Sequence, residues 1–206
     1  MTSTSLTGRT AATAVPEPRI DSGRVRQLIS ELLTALGEDP SREGLTGTPD
    51  RVASWWHAFL RPDNSATATC FAESRLSGQL VVVGGISVWS LCEHHLLPMH
   101  LRVAVGYVPD GQVVGLSKFG RIAQARAGRL QVQERFTRQV AEAVAGVIGS
   151  VDVAVAVDGT HLCMSMRGVR METARTSSLQ ASGRFSSDPV LSQQFLALAY
   201  KDIRPE

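Results

Sequence analysis

The residues of this chain that are best suited to bind a metal ion are concentrated in two short segments. Four of the five histidines and two of the three cysteines occur either between Cys92 and His100 or between His161 and Cys163. Thiolate sulfur and imidazole nitrogen are the ligands that zinc prefers. Cys92 and His95 are separated by two residues, so a single turn places both on one side. Cys163 can complete the set, and the pattern therefore predicts a zinc site.

A set of three protein ligands leaves the fourth position of tetrahedral zinc for water, which is the arrangement of a catalytic site. His161 and Cys163 follow a predicted strand, where residues two apart face the same way, so His161 is expected beside the metal. Two alternatives stay open from the residues alone. Either His94 or His161 closes a structural site, or the histidines are ordinary polar residues. Cys70 has no comparable neighbours in sequence, and we interpret it as a free structural thiol.

A second group of residues has the composition of an anion site. Ser117 is the predicted N-cap of a helix, with Lys118 and Arg121 in its first turn. Cations are unfavourable at the positive end of a helix dipole, so their placement favours a bound phosphate. The alternative is that both side chains simply point to solvent. Arg167 follows Cys163 closely and adds a further cation near the predicted metal ligands.

The next predicted helix begins with a polar stretch, Gln131 to Arg135. Polar side chains at a helix start are most often solvent-exposed and complement the dipole. A carboxylate such as that of Glu134 is also the right group to accept two N–H bonds from a guanine edge. Both interpretations stay open at this point.

The periodicity of apolar residues predicts the scaffold that must position these segments. Spacing typical of helices occurs at 25–36, from Pro49 to before Pro62, and at 116–126, 132–148 and 189–200. Strand patterns occur at 80–83, 101–107 and 151–157, with a turn at Pro109–Gly111 and an irregular stretch at 62–78. The order of helices, strands, helices and strands predicts an α+β domain with an antiparallel sheet.

Composition and charge restrict the class of protein. Lys plus Arg is 21 and Asp plus Glu is 19, a net charge of +2, which gives no reason to expect a nucleic-acid partner. Apolar runs stay well short of the roughly 20 residues of a membrane span, so no membrane partner is expected. Three cysteines argue against a disulfide framework and for a reducing compartment, so the expected location is cytoplasmic. Residues 1–20 are predicted to form a disordered tail.

Several motifs, taken in order, resemble those of the GTP cyclohydrolase I family. The resemblance covers roughly residues 24–200 and rests on these segments: Leu36–Leu45, Thr48–Ala53, Cys92–Pro98, Val105–Pro109, Gly115–Lys118, Arg121–Ile122, Gln131–Arg135 and His161–Gly168. It implies the tunnelling fold, in which an antiparallel sheet is backed by two helices and preceded by an N-terminal helical part. On this resemblance, residues 21–62 would form the N-terminal helical part and residues 63–206 the catalytic domain. It also implies self-association into a toroidal homodecamer with active sites between subunits.

The resemblance also implies a role for each residue that matches a family motif. Zinc would be held by Cys92, His95 and Cys163, while His94, His161 and Ser117 would be catalytic. Glu134 would hold guanine and Gln133 the ribose. The triphosphate would contact Ser117, Lys118, Arg121 and Arg167, with Arg51 reaching in from a neighbouring subunit.

The reaction that this resemblance implies is hydrolytic opening of the imidazole ring of GTP, release of formate and reclosure to 7,8-dihydroneopterin triphosphate. His161 would protonate N7 of the purine and His94 would help to open the ribose, roles that suit imidazole because its pKa lies near neutrality. The chain departs from the family pattern at Met99, Leu101, Arg126, Gly128 and 176–181, which leaves packing, assembly and pocket shape open. The alternatives are a non-catalytic zinc-stabilised paralogue and an enzyme that stops at the ring-opened formamidopyrimidine.

Overall fold

The structure is a computed structural model of the 206-residue chain, and it describes residues 19–60 and 70–203. The disordered tail predicted for residues 1–20 lies outside the described residues except for its last two positions. The predicted domain boundary between residues 62 and 63 and the Cys70 side chain, interpreted as a free thiol, also lie outside them. Within the described ranges, none of the helices is long and apolar enough to cross a membrane.

Two helices form a hairpin before the sheet. α1 (Ser22–Ala35) begins after the N-cap Asp21, whose carboxylate accepts a backbone N–H at 2.9 Å, and the chain turns at Gly37, where φ is 86°. α2 (Thr48–Leu60) packs against α1. None of the α1 residues is fully buried. Its apolar stripe is largely open to solvent, with exposed fractions of 45%, 50% and 70% at Leu28, Leu32 and Leu36.

The strands of the described residues form two sheets. β1 (Cys70–Ser77) and β4 (Asp110–Val114) make an antiparallel pair. The larger sheet contains β2 (Val81–Cys92), β3 (Pro98–Tyr107), β5 (Leu130–Gln131), β6 (Val153–His161) and β7 (Thr176–Ala181). Its strand order is β5-β2-β3-β6-β7, and every neighbouring pair is antiparallel except β2 and β5. The α+β class with a mostly antiparallel sheet is therefore confirmed.

The lengths of several strands differ from the predictions. β2 continues from Val81 to Cys92 rather than ending at residue 83, because pairing with β3 stabilises a stretch in which Gly84 and Gly85 hide the alternation. The register shifts between Val83 and Ile86, which is the local irregularity that these glycines allow. The predicted irregular stretch contains β1, and Asp110 begins β4 instead of forming a turn. These strands depend on distant partners, which a local pattern does not reveal.

Helices cover both faces of the larger sheet. α3 (Ser117–Ala127) and α4 (Gln133–Ile148) pack on one face, where Val103 and Val105 are fully buried. α6 (Arg184–Ser187) and α7 (Pro189–Ile203) pack on the other face. A Cβ atom on Gly106 would lie 2.5 Å from Phe195 Cδ2, so this glycine lets α7 approach the strand.

The register of the sheet defines two ends that matter for function. Leu91 pairs with Pro98 and Met99 pairs with His161, and we call this the ligand end. Tyr107 pairs with both Val81 and Val153 at the opposite end, which we call the distal end. The ten residues of β3 connect the two ends. At about 3.4 Å per residue, they separate the ends by about 30 Å.

Candidate functional site

The predicted metal ligands lie together at the ligand end of the sheet. Cys92 is the last residue of β2, and its N–H donates to Leu97 O at 2.9 Å while its own carbonyl accepts from Leu96 N at 2.8 Å. These bonds close the turn that carries His95. The sulfur atoms of Cys92 and Cys163 and a ring nitrogen of His95 all lie within 4.8 Å of one another. Donors at such separations can share one ion, so this group could hold a metal.

Cys163 reaches the group by a different local conformation from the predicted one. β6 ends at His161, and the single-turn helix α5 (Leu162–Ser165) begins at the next residue. Residues two apart on a helical turn do not face the same way. Cys163 therefore joins Cys92, whereas the His161 ring bonds Gln133 Oε1 at 2.8 Å. The prediction that an extended strand carries both side chains in one direction is wrong.

The chemistry of the donor set fits a divalent cation that binds sulfur and nitrogen. Burial raises the pKa of the Cys163 thiol, the nearby Cys92 sulfur raises it further, and the Arg167 guanidinium acts in the opposite direction. The Cys163 thiol therefore resists ionisation beside the Cys92 sulfur. A divalent cation reverses this balance, because a coordinated thiol is deprotonated and its charge is neutralised.

Cys92, His95 and Cys163 are called the metal-ligand group below. His94 and Arg167 border this group. His94 Nδ1 lies 3.8 Å from Cys92 Sγ, close to the 3.9 Å of His95 Nδ1. Among the described residues, the donor atoms that all lie within 4.8 Å of one another include that of His95 and not that of His94. The guanidinium of Arg167 contacts Nε2 of His95. Both side chains are exposed, so they line the open side of the group.

His161 and Glu134 form the neighbouring part of the site. Burial lowers the pKa of the half-buried His161, and the negative charge of Glu134 opposes that shift. Glu134 is exposed in the first turn of α4. A carboxylate open to solvent and a neighbouring imidazole are thus both available to a ligand.

The two glutamines before and at the start of α4 are buried, so the solvent-exposure interpretation of this stretch is wrong for them. Gln131 is 2% exposed and Gln133 is 1% exposed. Gln131 ends β5 and Val132 is extended, with φ −111° and ψ 146°. In extended backbone, residues two apart face the same side, and here that side is the protein interior. The two-residue spacing of Gln131 and Gln133 was the feature of the sequence that could have indicated their shared burial.

Gln131 connects the metal-ligand turn to α4 through residues for which the sequence suggested no role. Its Oε1 accepts from Arg135 Nε at 2.8 Å, and the Arg135 guanidinium forms an ion pair with Glu93. Glu93 N–H also donates to the Gln131 carbonyl at 3.0 Å. The ion pair with Arg135 lowers the pKa of Glu93. Glu93 directly follows Cys92, so this network fixes the turn on which the ligands lie.

Three of the predicted phosphate-binding residues, Ser117, Lys118 and Arg121, lie at the distal end. α3 begins at Ser117 with Leu116 as N-cap and without a side-chain cap, so the prediction of Ser117 as N-cap is wrong. The ring of Phe119, in the first turn of α3, contacts the ring of Tyr107 with centroids 5.6 Å apart. The other end of α3 lies at the ligand end, since Ser90 Oγ donates to Ala127 O at 2.8 Å.

The exposure of these residues differs from side chain to side chain. Ser117 and Arg121 are exposed, whereas Lys118 is 2% exposed, so the interpretation that both cations point to solvent is wrong for Lys118. Within one chain the structure does not bring Ser117, Lys118 and Arg121 to the metal-ligand group. Arg51 is exposed on α2 and donates to Thr48 Oγ1 at 2.9 Å.

Comparison with known proteins identifies relatives of the whole chain. A family model described as GTP cyclohydrolase I matches residues 25–200. GTP cyclohydrolase 1 of Deinococcus radiodurans is 38% identical, covering 96% of this chain and 96% of its own length. The protein of the same name from Hyperthermus butylicus is 43% identical, covering 90% of this chain and 93% of its own, and that from Chlorobaculum tepidum is 40% identical, covering 85% and 80%.

Proposed function

Because the chain belongs to the GTP cyclohydrolase I family and is a GTP cyclohydrolase, we propose that Cys92, His95 and Cys163 hold a catalytic zinc ion. The close approach of the two sulfurs and the imidazole supports this ligand set. These three residues would hold the zinc, which when bound would make a water-derived nucleophile available at neutral pH. The open side of the group, where His94 and His95 are exposed, supports access for a substrate.

The protein residues of this site divide the remaining chemistry among them. His161 donates a proton to N7 of the purine as the imidazole ring of GTP opens, and His94 assists opening of the ribose. Both imidazoles lie next to the metal ligands in sequence or in space. Positioned imidazoles typically contribute about 10²- to 10⁴-fold to such steps. Formate leaves, and the ring recloses to 7,8-dihydroneopterin triphosphate.

Recognition of the nucleoside rests on the start of α4. Glu134 accepts hydrogen bonds from the guanine edge, and its exposure beside His161 supports this role. The ribose contact predicted for Gln133 stays a prediction, since the amide of this residue is already occupied inside the protein. Arg167, at the metal-ligand group, is the cation of the same chain that is placed to meet a phosphate there.

The location of the other phosphate-binding residues supports an active site shared between subunits. Ser117, Lys118 and Arg121 belong to the distal end, about 30 Å along β3 from the metal-ligand group. A neighbouring subunit can present its distal end to this ligand end, and Arg51 can come from a neighbour as well. Ser117 then acts with the catalytic residues of the adjacent chain. We propose that this arrangement is the toroidal homodecamer with the tunnelling fold, in which the open apolar stripe of α1 is covered.

The family places the enzyme in pterin and folate biosynthesis. We propose a cytoplasmic location, where a reducing environment keeps the ligand thiols Cys92 and Cys163 unoxidised.

The observation that carries this proposal is the convergence of Cys92, His95 and Cys163. The test is to incubate the zinc-loaded protein with GTP and to identify the products. We expect stoichiometric formate and a pterin triphosphate that becomes fluorescent on oxidation. Ring-opened nucleotide without pterin would instead identify an enzyme that stops at the formamidopyrimidine, and unchanged GTP would identify a non-catalytic paralogue.

A further inference from the structure

We infer that Gln133 is a positioning residue that fixes the ring orientation and the tautomer of His161. This inference rests on the proposed function, in which His161 donates a proton to the purine. The two side chains meet through Gln133 Oε1 and His161 Nε2, which are 2.8 Å apart. Gln133 lies at the start of α4 and His161 at the end of β6, so the contact joins two elements of the fold.

The orientation of the Gln133 amide follows from its other partners. Its Nε2 lies 2.8 Å from Thr176 O, 3.2 Å from Val157 O and 3.1 Å from Ser178 Oγ. Two of these three are backbone carbonyl oxygens, which only accept hydrogen bonds. Reversing the amide would set its oxygen against both carbonyls, so the NH₂ group must face them. The Oε1 atom therefore faces His161.

The state of the His161 ring follows in turn. An amide oxygen accepts and never donates, so His161 Nε2 must carry the hydrogen of this bond. This holds for the neutral ring and for the charged ring alike. Nδ1 is then the nitrogen that exchanges a proton with a ligand. When N7 of the purine is protonated, the Nδ1–H bond breaks, the new N–H bond forms on N7, and the hydrogen on Nε2 stays with Gln133.

The surroundings hold the amide in this position. Gln133 is 1% exposed, and Thr137 Oγ1 bonds both Gln133 O at 2.8 Å and Ser178 Oγ at 2.6 Å. A Cβ atom on Gly159 would lie 2.2 Å from Gln133 Oε1 and 3.1 Å from His161 Nε2. The absence of a side chain at Gly159 thus provides the space in which the two groups meet. A buried amide enclosed in this way has little freedom to turn toward a ribose.

The test compares Gln133→Met with Thr137→Val in the zinc-loaded protein. The first variant removes the amide while keeping a similar length, and the second removes a hydroxyl of the same network but leaves the Gln133–His161 bond. Nitrogen-15 NMR of the His161 ring should show hydrogen on Nε2 in the wild type and in Thr137→Val. It should show a mixture of tautomers in Gln133→Met. Hydrogen on Nδ1 in the neutral wild-type ring, or an unchanged ring in Gln133→Met, would overturn the inference.

Kinetics provide the second readout. For Gln133→Met we expect kcat for formate release to fall about 10- to 100-fold, with the KM for GTP nearly unchanged. We expect Thr137→Val to retain most of kcat. A raised KM with kcat retained in Gln133→Met would identify a ribose contact and overturn the positioning role. If the wild type itself releases no formate, the proposed function fails, whereas the NMR comparison still decides the tautomer.

Discussion

The two segments that carry the predicted metal ligands are attached to the start of α4 in different ways. The turn after Cys92 is attached through the Glu93–Arg135 ion pair, whose side chains are 34% and 35% exposed. The end of β6 is attached through Gln133, which is 1% exposed and bonds inside the protein. A partly exposed ion pair exchanges readily with water, whereas a buried amide leaves unpaired partners when it breaks. We therefore expect the turn after Cys92 to change its conformation more readily than the end of β6 when an ion binds.

The largest effect should come from removing the ligand that joins the two segments. We expect Cys163→Ala to lose its zinc and to lose turnover by more than the roughly 10- to 100-fold that outer partners of a metal contribute. The measurement is zinc per subunit by elemental analysis together with formate release. Ser165→Ala, on the same helical turn, is the matched control and should keep both. Full zinc content in Cys163→Ala would refute the ligand assignment.

The end of β6 can be tested without removing the metal. We expect His161→Ala to keep its zinc, because it is not one of the group of three donors, and to lose about 10²- to 10⁴-fold in ring opening. Formate release and bound zinc are measured on the same preparation. Near-normal formate release would remove His161 from the proton step, and loss of zinc would show that the two segments do not act separately.

The buried contacts of Gln131, next to the turn after Cys92, lead us to expect a loss of stability when this residue is replaced. Gln131→Leu leaves the Arg126 carbonyl and the Gln139 amide oxygen, both bonded by Gln131 Nε2, without that donor. Loss of a buried partner typically costs about 1–3 kcal/mol, so the free energy of unfolding in urea should fall by about that amount.

Glu93→Gln is the comparison for that variant, since it removes the ion pair with Arg135 but leaves the bond from Arg135 Nε to the buried Gln131 Oε1. We expect a smaller loss of stability and at most a modest loss of zinc affinity. Equal losses of stability in the two variants would contradict the expectation that the partly exposed ion pair contributes less to stability than the buried amide of Gln131.

The smallest expected effect is a pH dependence of the free energy of unfolding that arises from His100, near the ligand end. Burial lowers the pKa of His100, and the charges of Arg102 and Arg175 lower it further. The folded protein therefore binds a proton here less readily than the unfolded chain, so stability falls as the pH falls below about 6.5.

The measurement for His100 is urea unfolding of the wild type and of His100→Gln at pH 7.5 and 5.5. The glutamine can keep a bond to Ser87, whose hydroxyl lies 2.7 Å from His100 Nε2. We expect the loss of stability between the two pH values to be smaller in the variant. An identical loss would mean that His100 makes no contribution to the pH dependence.

The sequence predicted which residues converge better than it predicted the backbone conformation that brings them together. The CxxH spacing of Cys92 and His95 is local, and the structure brings Cys163 to it as expected. The extended backbone predicted from His161 to Cys163 was wrong because a strand ends and a helical turn begins within two residues, a boundary that residue types do not mark. Interior packing of Gln131 and Gln133 was hidden by their polarity.

The distance between the predicted anion-binding residues and the metal-ligand group could not be predicted from the sequence either. The Ser117–Arg121 segment resembles a phosphate site by composition, but its position depends on the direction of α3 across the sheet. That direction follows from the packing of Phe119 on Tyr107, a tertiary contact. Sequence motifs therefore predicted candidate site residues, while the sheet register decides which of them one chain can bring together.

The pairing of Met99 with His161 also has a kinetic consequence. A slip of two residues between β3 and β6 would keep every side chain on its face but displace Cys163 by about 7 Å from Cys92. An ion held by this group would therefore favour the native alignment over a misaligned one. Because its donors meet only after these distant strands have paired, the bond energy should appear late in folding. Zinc would then prolong the lifetime of the folded chain more than it accelerates its formation.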